Sequence, residues 1–333
     1  MENRMIAIVV ALVLVASGLS FYAVSNAGNA AGSSTVNSPA PNLKVIKVTD
    51  SAGRTFYFPG PVERIVSLDP SATATLYAIG AYKYMVGGNG FDAYPTNETL
   101  PNVGNSYSVN YEELVSLQPQ VVLGYGATMP TYGVYINNTL HIPFLLDNPN
   151  SFSQIENETL MLGNLTGCYH NATLVVNWMQ NSLSYLSNST ASITPAEEQT
   201  VFYYLDNYGG YWTAGNNTFF QNYFNIAHLK NIATQNGYYT INPEIIVNSS
   251  PDIILLDQYV PYSAVNVTPF NTTSAYYSNH VYAIFNDSFF DEPDFRAVYA
   301  VAWLIEITSN PLIMNSFPVF PINLPYPPSY GWN

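Results

Sequence analysis

Positive charge is what this sequence has least of. Eight of its 333 residues are Lys or Arg, against 22 Asp or Glu, and charged residues together make up only 9%, far below the usual quarter. A surface that grips nucleic acid needs a basic patch, and eight cations scattered along the chain do not supply one. The formal charge of −14 at pH 7 gives no pull toward anionic lipid either. Cysteine is nearly absent. The single Cys168 excludes an internal disulfide, and its place in a helical pattern reads as a small buried hydrophobe. Reactive motifs are missing too. There is no Gly-x-Ser-x-Gly elbow, and His141, His170, His228 and His280 form no His-x-x-x-His pair. Gly87-Gly88-Asn89-Gly90 lacks the Lys-Ser/Thr of a phosphate loop. The chain is therefore expected to be neither an enzyme nor the holder of a cofactor or a bare metal ion, and nucleic acid is excluded as a partner.

Tyr, at 28 residues, and Asn carry much of the polar surface instead. Neutral polar groups in place of charges suit a protein that works in acid. There carboxylates protonate, and a base-rich surface would become positive and repel itself.

Both ends of the chain differ from the middle. Residues 5–24 carry no charge and follow Arg4. They are long enough to span a bilayer, and they also fit a signal peptide with Ser25-Asn26-Ala27 as a small-residue cleavage site. No Cys lies near enough for a lipoprotein anchor. Residues 26–42 are small and polar, a flexible tether. Either reading exports the rest, anchored to the outer face of the membrane or secreted. Eleven Asn-x-Ser/Thr sequons, from Asn97 to Asn286, agree with a glycosylated outer-surface protein.

With 48% hydrophobic residues the remainder can bury two ordinary domains. The organising pattern is VNYEELVSLQPQVVLG at 109–124, which returns as INPEIIVNSSPDIILL at 241–256. In each copy a hydrophobic residue and Asn lead a Glu-containing helical turn, then Pro with a polar residue, then an apolar strand. Two copies imply two related lobes. Around them, apolar runs at 64–68, 84–87, 120–124 and 141–146, and at 200–205 and 281–285, alternate with helices at 72–79, 218–229 and 292–308, which indicates mainly parallel sheets. A hairpin is expected over 45–58, and 125–131 and 206–217 read as loops. Between the halves, apolar residues recur at three- and four-residue steps from Phe152 to Leu186. That predicts a long amphipathic helix of roughly 50 Å, with a break near 163–167. The domain plan is residues 1–42 anchor and linker, 43–150 first lobe, 151–191 bridging helix and 192–333 second lobe.

The order and spacing of several stretches resemble the solute-binding receptors of ABC importers for vitamin B12 and iron–siderophore complexes. The stretches are VTDSAGRTFYF at 48–58, ERIVSLDPSATATLYAIGA at 63–81, residues 94–126, LGNLTG at 162–167, residues 212–233 and VYAIFNDSFFDEPDFRAV at 281–298. The resemblance covers most of 43–309. It implies an α/β fold of two lobes with mainly parallel sheets, bridged by one long α-helix, with a ligand cleft between the lobes. It also implies a monomer that captures a small metal complex or corrinoid, whose iron or cobalt belongs to the ligand, and delivers it to an ABC permease with ATPase subunits. The alternatives are a surface hydrolase or an adhesive glycoprotein on the same fold.

Ligands of open α/β sheets sit beyond the carboxyl ends of the strands. Those segments hold Phe91, Tyr94, Tyr107, Tyr125, Tyr208, Trp212, Tyr259 and Phe289, aromatic walls suited to a large, flat or partly apolar ligand. The resemblance points to Tyr125, Trp212, Tyr238 and Phe289, and to Arg296 at the start of the last helix. Arg296 suits either a ligand carboxylate or phosphate, or a nearby acid. One departure stands out. The glutamates that family members carry on the first helix of each lobe for permease docking are replaced by Ala74 and Asn222, leaving Glu112, Glu113 or Glu244 to serve.

Overall fold

In the computed structural model the described residues are 45–90, 94, 99–105 and 107–324. The expected span at 5–24, its tether and Phe91 lie outside them. Among the described residues no helix is long and apolar enough to cross a membrane.

The first lobe opens with an antiparallel hairpin, β1 (Ile46–Thr49) and β2 (Thr55–Phe58). Asp50 closes its turn by accepting the Ala52 and Arg54 amides, and its second oxygen accepts the Leu146 amide at 3.1 Å, pinning the hairpin to the sheet. The lobe continues through β3 (Ile65–Ser67), α1 (Pro70–Ala78), β4 (Met85–Gly87), β5 (Gly104–Asn105), β6 (Ser108–Val109), α2 (Tyr111–Ser116), β7 (Val121–Tyr125), α3 (Thr131–Asn138) and β8 (Phe144–Asp147). Strands β4-β3-β7-β8 form a parallel sheet in that order.

Two helices follow, α4 (Phe152–Thr166) and α5 (Tyr169–Thr190). The second lobe contains β9 (Gln199–Tyr204), β10 (Trp212–Ala214), α6 (Phe219–Ile226), β11 (Leu229–Asn231), β12 (Tyr238–Thr240), α7 (Pro243–Ser249), β13 (Ile253–Leu256), α8 (Ser274–Tyr277), β14 (Val281–Ala283), α9 (Asp287–Phe290) and α10 (Ala297–Thr308). Its parallel sheet runs β11-β9-β13-β14. In both sheets the first strand lies between the second and the third, and the fourth lies outside the third.

The duplicated sequence pattern occupies the same place in each sheet, as the helix before the third strand and the strand itself. Its Asn is the N-cap in both copies: Asn110 accepts the Glu113 amide and Asn242 the Glu244 amide. The residue before its Pro is left-handed in both, Gln118 at φ 46° and Ser250 at φ 41°. The residue after that Pro ties the unit to the first strand, with Gln120 N donating to Arg64 O and Asp252 N to Thr200 O. The motif is thus a helix stop and strand start used twice.

The 151–191 segment is helical, but its connecting element is shorter than the expected 50 Å. Gly167 takes φ 74° and ends α4, and the chain turns back on itself. α4 and α5 run antiparallel, with Gln180 donating to Glu156 at 2.9 Å. α4 packs on β1 and α1, while α5 packs on α6 and α10. The bridge is therefore α5 alone, about 33 Å at 1.5 Å per residue. Three further elements differ from expectation. α3 and the β10–β12 ribbon form largely where loops or no element were read, and α10 begins at Ala297 rather than at 292.

One core cluster contains residues of both lobes and of the helices between them, Ile65 and Val201 among them. Its aromatic centre is Trp178 of α5, packed by Phe295, Tyr299, Phe317 and Phe320. The Trp178 indole donates to the Pro318 carbonyl at 2.9 Å and the Tyr185 hydroxyl to that of Ile313 at 2.8 Å, so the C-terminal tail is bound along the bridge. The bend between α4 and α5 depends on Gly163, where a Cβ would lie 2.4 Å from the Ala172 Cβ. Gly163→Leu is expected to force the two helices apart and lower stability by about 1–3 kcal/mol, read as a lower urea midpoint; an unchanged midpoint would contradict this packing.

Candidate functional site

The carboxyl ends of β3, β4 and β7 face the segment that follows α9. Between them lies a cavity of about 290 Å³, lined by Leu68, Asp69, Pro70, Ser71, Asn89, Asn105, Tyr107 and Tyr125 from the first lobe and by Asp291, Glu292 and Pro293 from the second. Tyr107 sits on the tight β5–β6 hairpin. Gly104, at φ 83°, permits that turn, since a Cβ there would meet the Ser108 carbonyl at 2.0 Å. Asn105 shapes the tip by accepting the Tyr107 and Ser108 amides.

Tyr125 is 47% exposed and lines the cavity. Burial raises its pKa, helped by the charges of Asp69 and Asp147. Tyr238, on β12, has its pKa raised by burial and then by its neighbours Tyr125 and Asp291. Trp212, on the paired strand β10, donates its indole N–H to the Tyr208 carbonyl at 3.1 Å.

The sequence-predicted residues therefore divide. Tyr107 and Tyr125 line the cavity, whereas Tyr238 and Trp212 stand outside its lining. Tyr208 and Tyr259 are exposed on the loops after β9 and β13, outside the lining. Tyr94 and Phe289 are buried and meet Arg296 rather than open space. The Arg296 guanidinium lies 5.1 Å from the Tyr94 ring centroid and 5.5 Å from that of Phe289. Arg296 itself is 1% exposed; its Nε donates to both Asp294 oxygens at 3.0 Å, and its Nη2 reaches both Glu292 and Asp294. Of the two roles the sequence left open, pairing with acids is the one observed. Burial opposes the guanidinium charge, but Asp294 and Glu292 hold its pKa above the ordinary value.

Asp69, Ser71, Asn89, Asn105, Asp291 and Glu292 were not among the predicted contacts. The strand-end rule covers most of them, but a preference for aromatic residues passed over them. Behind the lining lies a feature no local pattern announces. Asp69 hydrogen-bonds Asp147, the last residue of β8, which in turn hydrogen-bonds Glu158 of α4. Asp69 Oδ1 also caps α1 through the Ser71 amide. Asp69 Oδ2, Asp147 Oδ2 and Glu158 Oε1 receive no N–H or hydroxyl donor from the protein. The neighbouring carboxyls, when protonated, are the donors within reach of Asp69 and Asp147. Burial raises all three pKa values, with the neighbouring acid next for Asp69 and Asp147, and Glu158 is pushed up to about 8. Across the cleft the Tyr203 hydroxyl lies 2.6 Å from Asp257 Oδ2 and 2.9 Å from Asp291 Oδ1. Burial, then Asp257, raises Asp291. Burial also pushes Glu292 up to about 7, with Arg296 pulling it back. No group of three or more His, Cys, Asp or Glu among the described residues is arranged to hold a metal ion.

The family model described as periplasmic binding protein matches residues 65–282, from β3 to β14. The chain belongs to the periplasmic binding protein family. An uncharacterized ABC transporter substrate-binding lipoprotein of Bacillus subtilis is 27% identical over 66% of this chain and 71% of its own. A cobalamin-binding protein of Halobacterium salinarum is 27% identical over 75% and 70%. The apo form of a periplasmic heme-binding protein from Roseiflexus superposes with a TM-score of 0.66 at 22% identity, covering 74% of this chain and 97% of that one. The fold and family implied by residues 48–58, 63–81 and the stretches after them are thus the ones found.

Neither position that replaces a docking glutamate is free on this binding protein. Ala74 is buried within α1, and Asn222 donates to the Asn150 carbonyl at 3.1 Å. The raised carboxyls of this binding protein hold protons more tightly folded than unfolded, so the folded state binds more protons and stability falls as pH rises. Below about pH 4 both states are protonated and no difference remains; the loss develops from there through pH 7 and 8, where Glu292 and Glu158 titrate. The thermal midpoint is expected to be highest near pH 4–5 and to fall toward pH 8, on the order of 1 kcal/mol per pH unit for each titrating group. Glu158→Gln should flatten the profile. A midpoint that climbs up to neutrality would contradict the protonated cluster.

Proposed function

We propose that this protein is the extracellular substrate-binding receptor of an ABC importer, capturing a metal chelate or corrinoid in the cleft between its lobes and delivering it to a membrane permease. The observation that carries the reading is the cavity itself. It lies at the carboxyl ends of the parallel strands, it joins the lobes, and Tyr107 and Tyr125 form its aromatic wall. The names of the relatives support it, since one is a cobalamin-binding protein and one a heme-binding protein. Residues 5–24 hold the chain at the outer face of the membrane, or release it if cleaved. The sequons, beginning at Asn97, carry glycans, and the chain acts as a monomer. A core shared by both lobes limits closure of the cleft to a small motion.

A thermal-shift and tryptophan-quenching screen against cobalamin, haem and ferric siderophores tests this. A bound ligand at one hundred times its Kd should stabilise the protein by about 2.7 kcal/mol. Tyr125→Ala should weaken binding about tenfold through loss of one stacking wall. No response to any of these ligands, or turnover of an ester, peptide or glycoside, would overturn the proposal.

A further inference from the structure

We infer that the cleft selects a ligand that is neutral or cationic overall and rich in carbonyl oxygens, and that it turns polyanionic chelates away. The inference rests on the receptor reading above and narrows it to a charge class. Its basis is where the chain has placed its few cations. Lys47 and Lys230 are exposed on β1 and β11. Arg54 is held by Asp50 and the Phe144 carbonyl, and Arg64 by the carbonyls of Leu117 and Gln118. Lys83 lies over the Tyr84 ring, and Arg296 is buried against Asp294 and Glu292. Arg4 and Lys44 lie outside the described residues, and segments 91–93, 95–98 and residue 106 contain no Lys, Arg or His. Among the described residues, then, no basic side chain lines the cavity.

A helix N-terminus is the other common device for holding an anion, and the start of α1 does open on this cavity. Two of its first-turn amides are already taken, and the Asp69 carboxyl stands at its cap. Pro70 has no N–H, the Ser71 amide is taken by the Asp69 carboxyl, and the Thr73 amide is taken by the Asp69 carbonyl. The cavity is lined by Asp291 and Glu292 and by the buried Asp69, with the Asn89 and Asn105 amides and the two tyrosine rings. As neutral acids these carboxyls donate hydrogen bonds to carbonyl oxygens; as carboxylates they attract cations and N–H groups. In neither state do they supply the counter-charge an anion needs once water is displaced. Where such a carboxyl ionises, like charges add repulsion to the missing counter-charge. Carboxamide-rimmed corrinoids and ferric hydroxamates have the favoured chemistry; haem propionates and ferric catecholates have the opposite.

Isothermal titration of the full-length protein at pH 6.5 decides the matter with four probes: cyanocobalamin, neutral overall; ferrioxamine B, cationic; haem; and ferric enterobactin, a polyanion. At least one of the first two should bind tenfold or more tighter than either of the others. Tyr107→Arg, an exposed position on the cavity wall, should narrow that ratio about tenfold by supplying the missing cation. Haem or ferric enterobactin binding as tightly as the best neutral or cationic probe overturns the charge selection and leaves the receptor reading intact. A ratio unmoved by Tyr107→Arg also overturns it. Binding of none of the four overturns both.

Discussion

A carboxyl buried without a cation beside it is tolerated only while it keeps its proton. That constraint governs this protein because its sequence has so few bases to pair with its acids. Asp69 ends the first strand region and caps α1, Asp147 ends β8, and Glu158 stands on α4. Their mutual hydrogen bonds join three elements of the first lobe directly beneath the cleft. In the second lobe Asp291, raised by burial, lies against the Tyr203 hydroxyl, which also reaches Asp257. Arg296, the one arginine after Arg64, is committed to the remaining pair of acids.

The same scarcity shapes the cleft. The Arg296 guanidinium lies between the Tyr94 and Phe289 rings, and the Tyr94 ring reaches Phe295, 6.3 Å away, on the second lobe. This contact ties the lobes at the base of the site. α5 ties them again through the Trp178 cluster and the bound C-terminal tail. The cleft is thus framed by two lobes that share one core, with aromatic rings and acids, rather than cations, left facing the ligand.

Much of the scaffold was legible in the sequence because it is local. The Asn caps, the turn before Pro and the apolar strand of the duplicated motif are all set by near neighbours, and their repetition announced the second lobe. The β10–β12 ribbon was not legible, since Tyr-Gly-Gly and Asn-rich segments show no alternation and pair only across the intervening helix. The break at Gly167 was foreseeable from its glycine, but the turning back of α4 on α5 follows from the close fit of Gly163 to Ala172. For the site, strand-end position found Tyr107 and Tyr125. It also proposed Tyr94 and Phe289, which pack instead on Arg296, Tyr94 doing so across the lobes. The link from Asp69 through Asp147 to Glu158 joins residues far apart in sequence and leaves no periodic trace.

The most direct test of ligand capture between the lobes is hydrogen exchange of the protein with and without a saturating ligand, read peptide by peptide. Capture in the cleft predicts slowed exchange at Asp69–Ser71, Asn105–Tyr107, Tyr125 and Asp291–Pro293 together, in both lobes at once. Protection confined to one lobe, or to the surface groove of about 550 Å³ formed by Tyr211, Glu244 and Thr268, would contradict it.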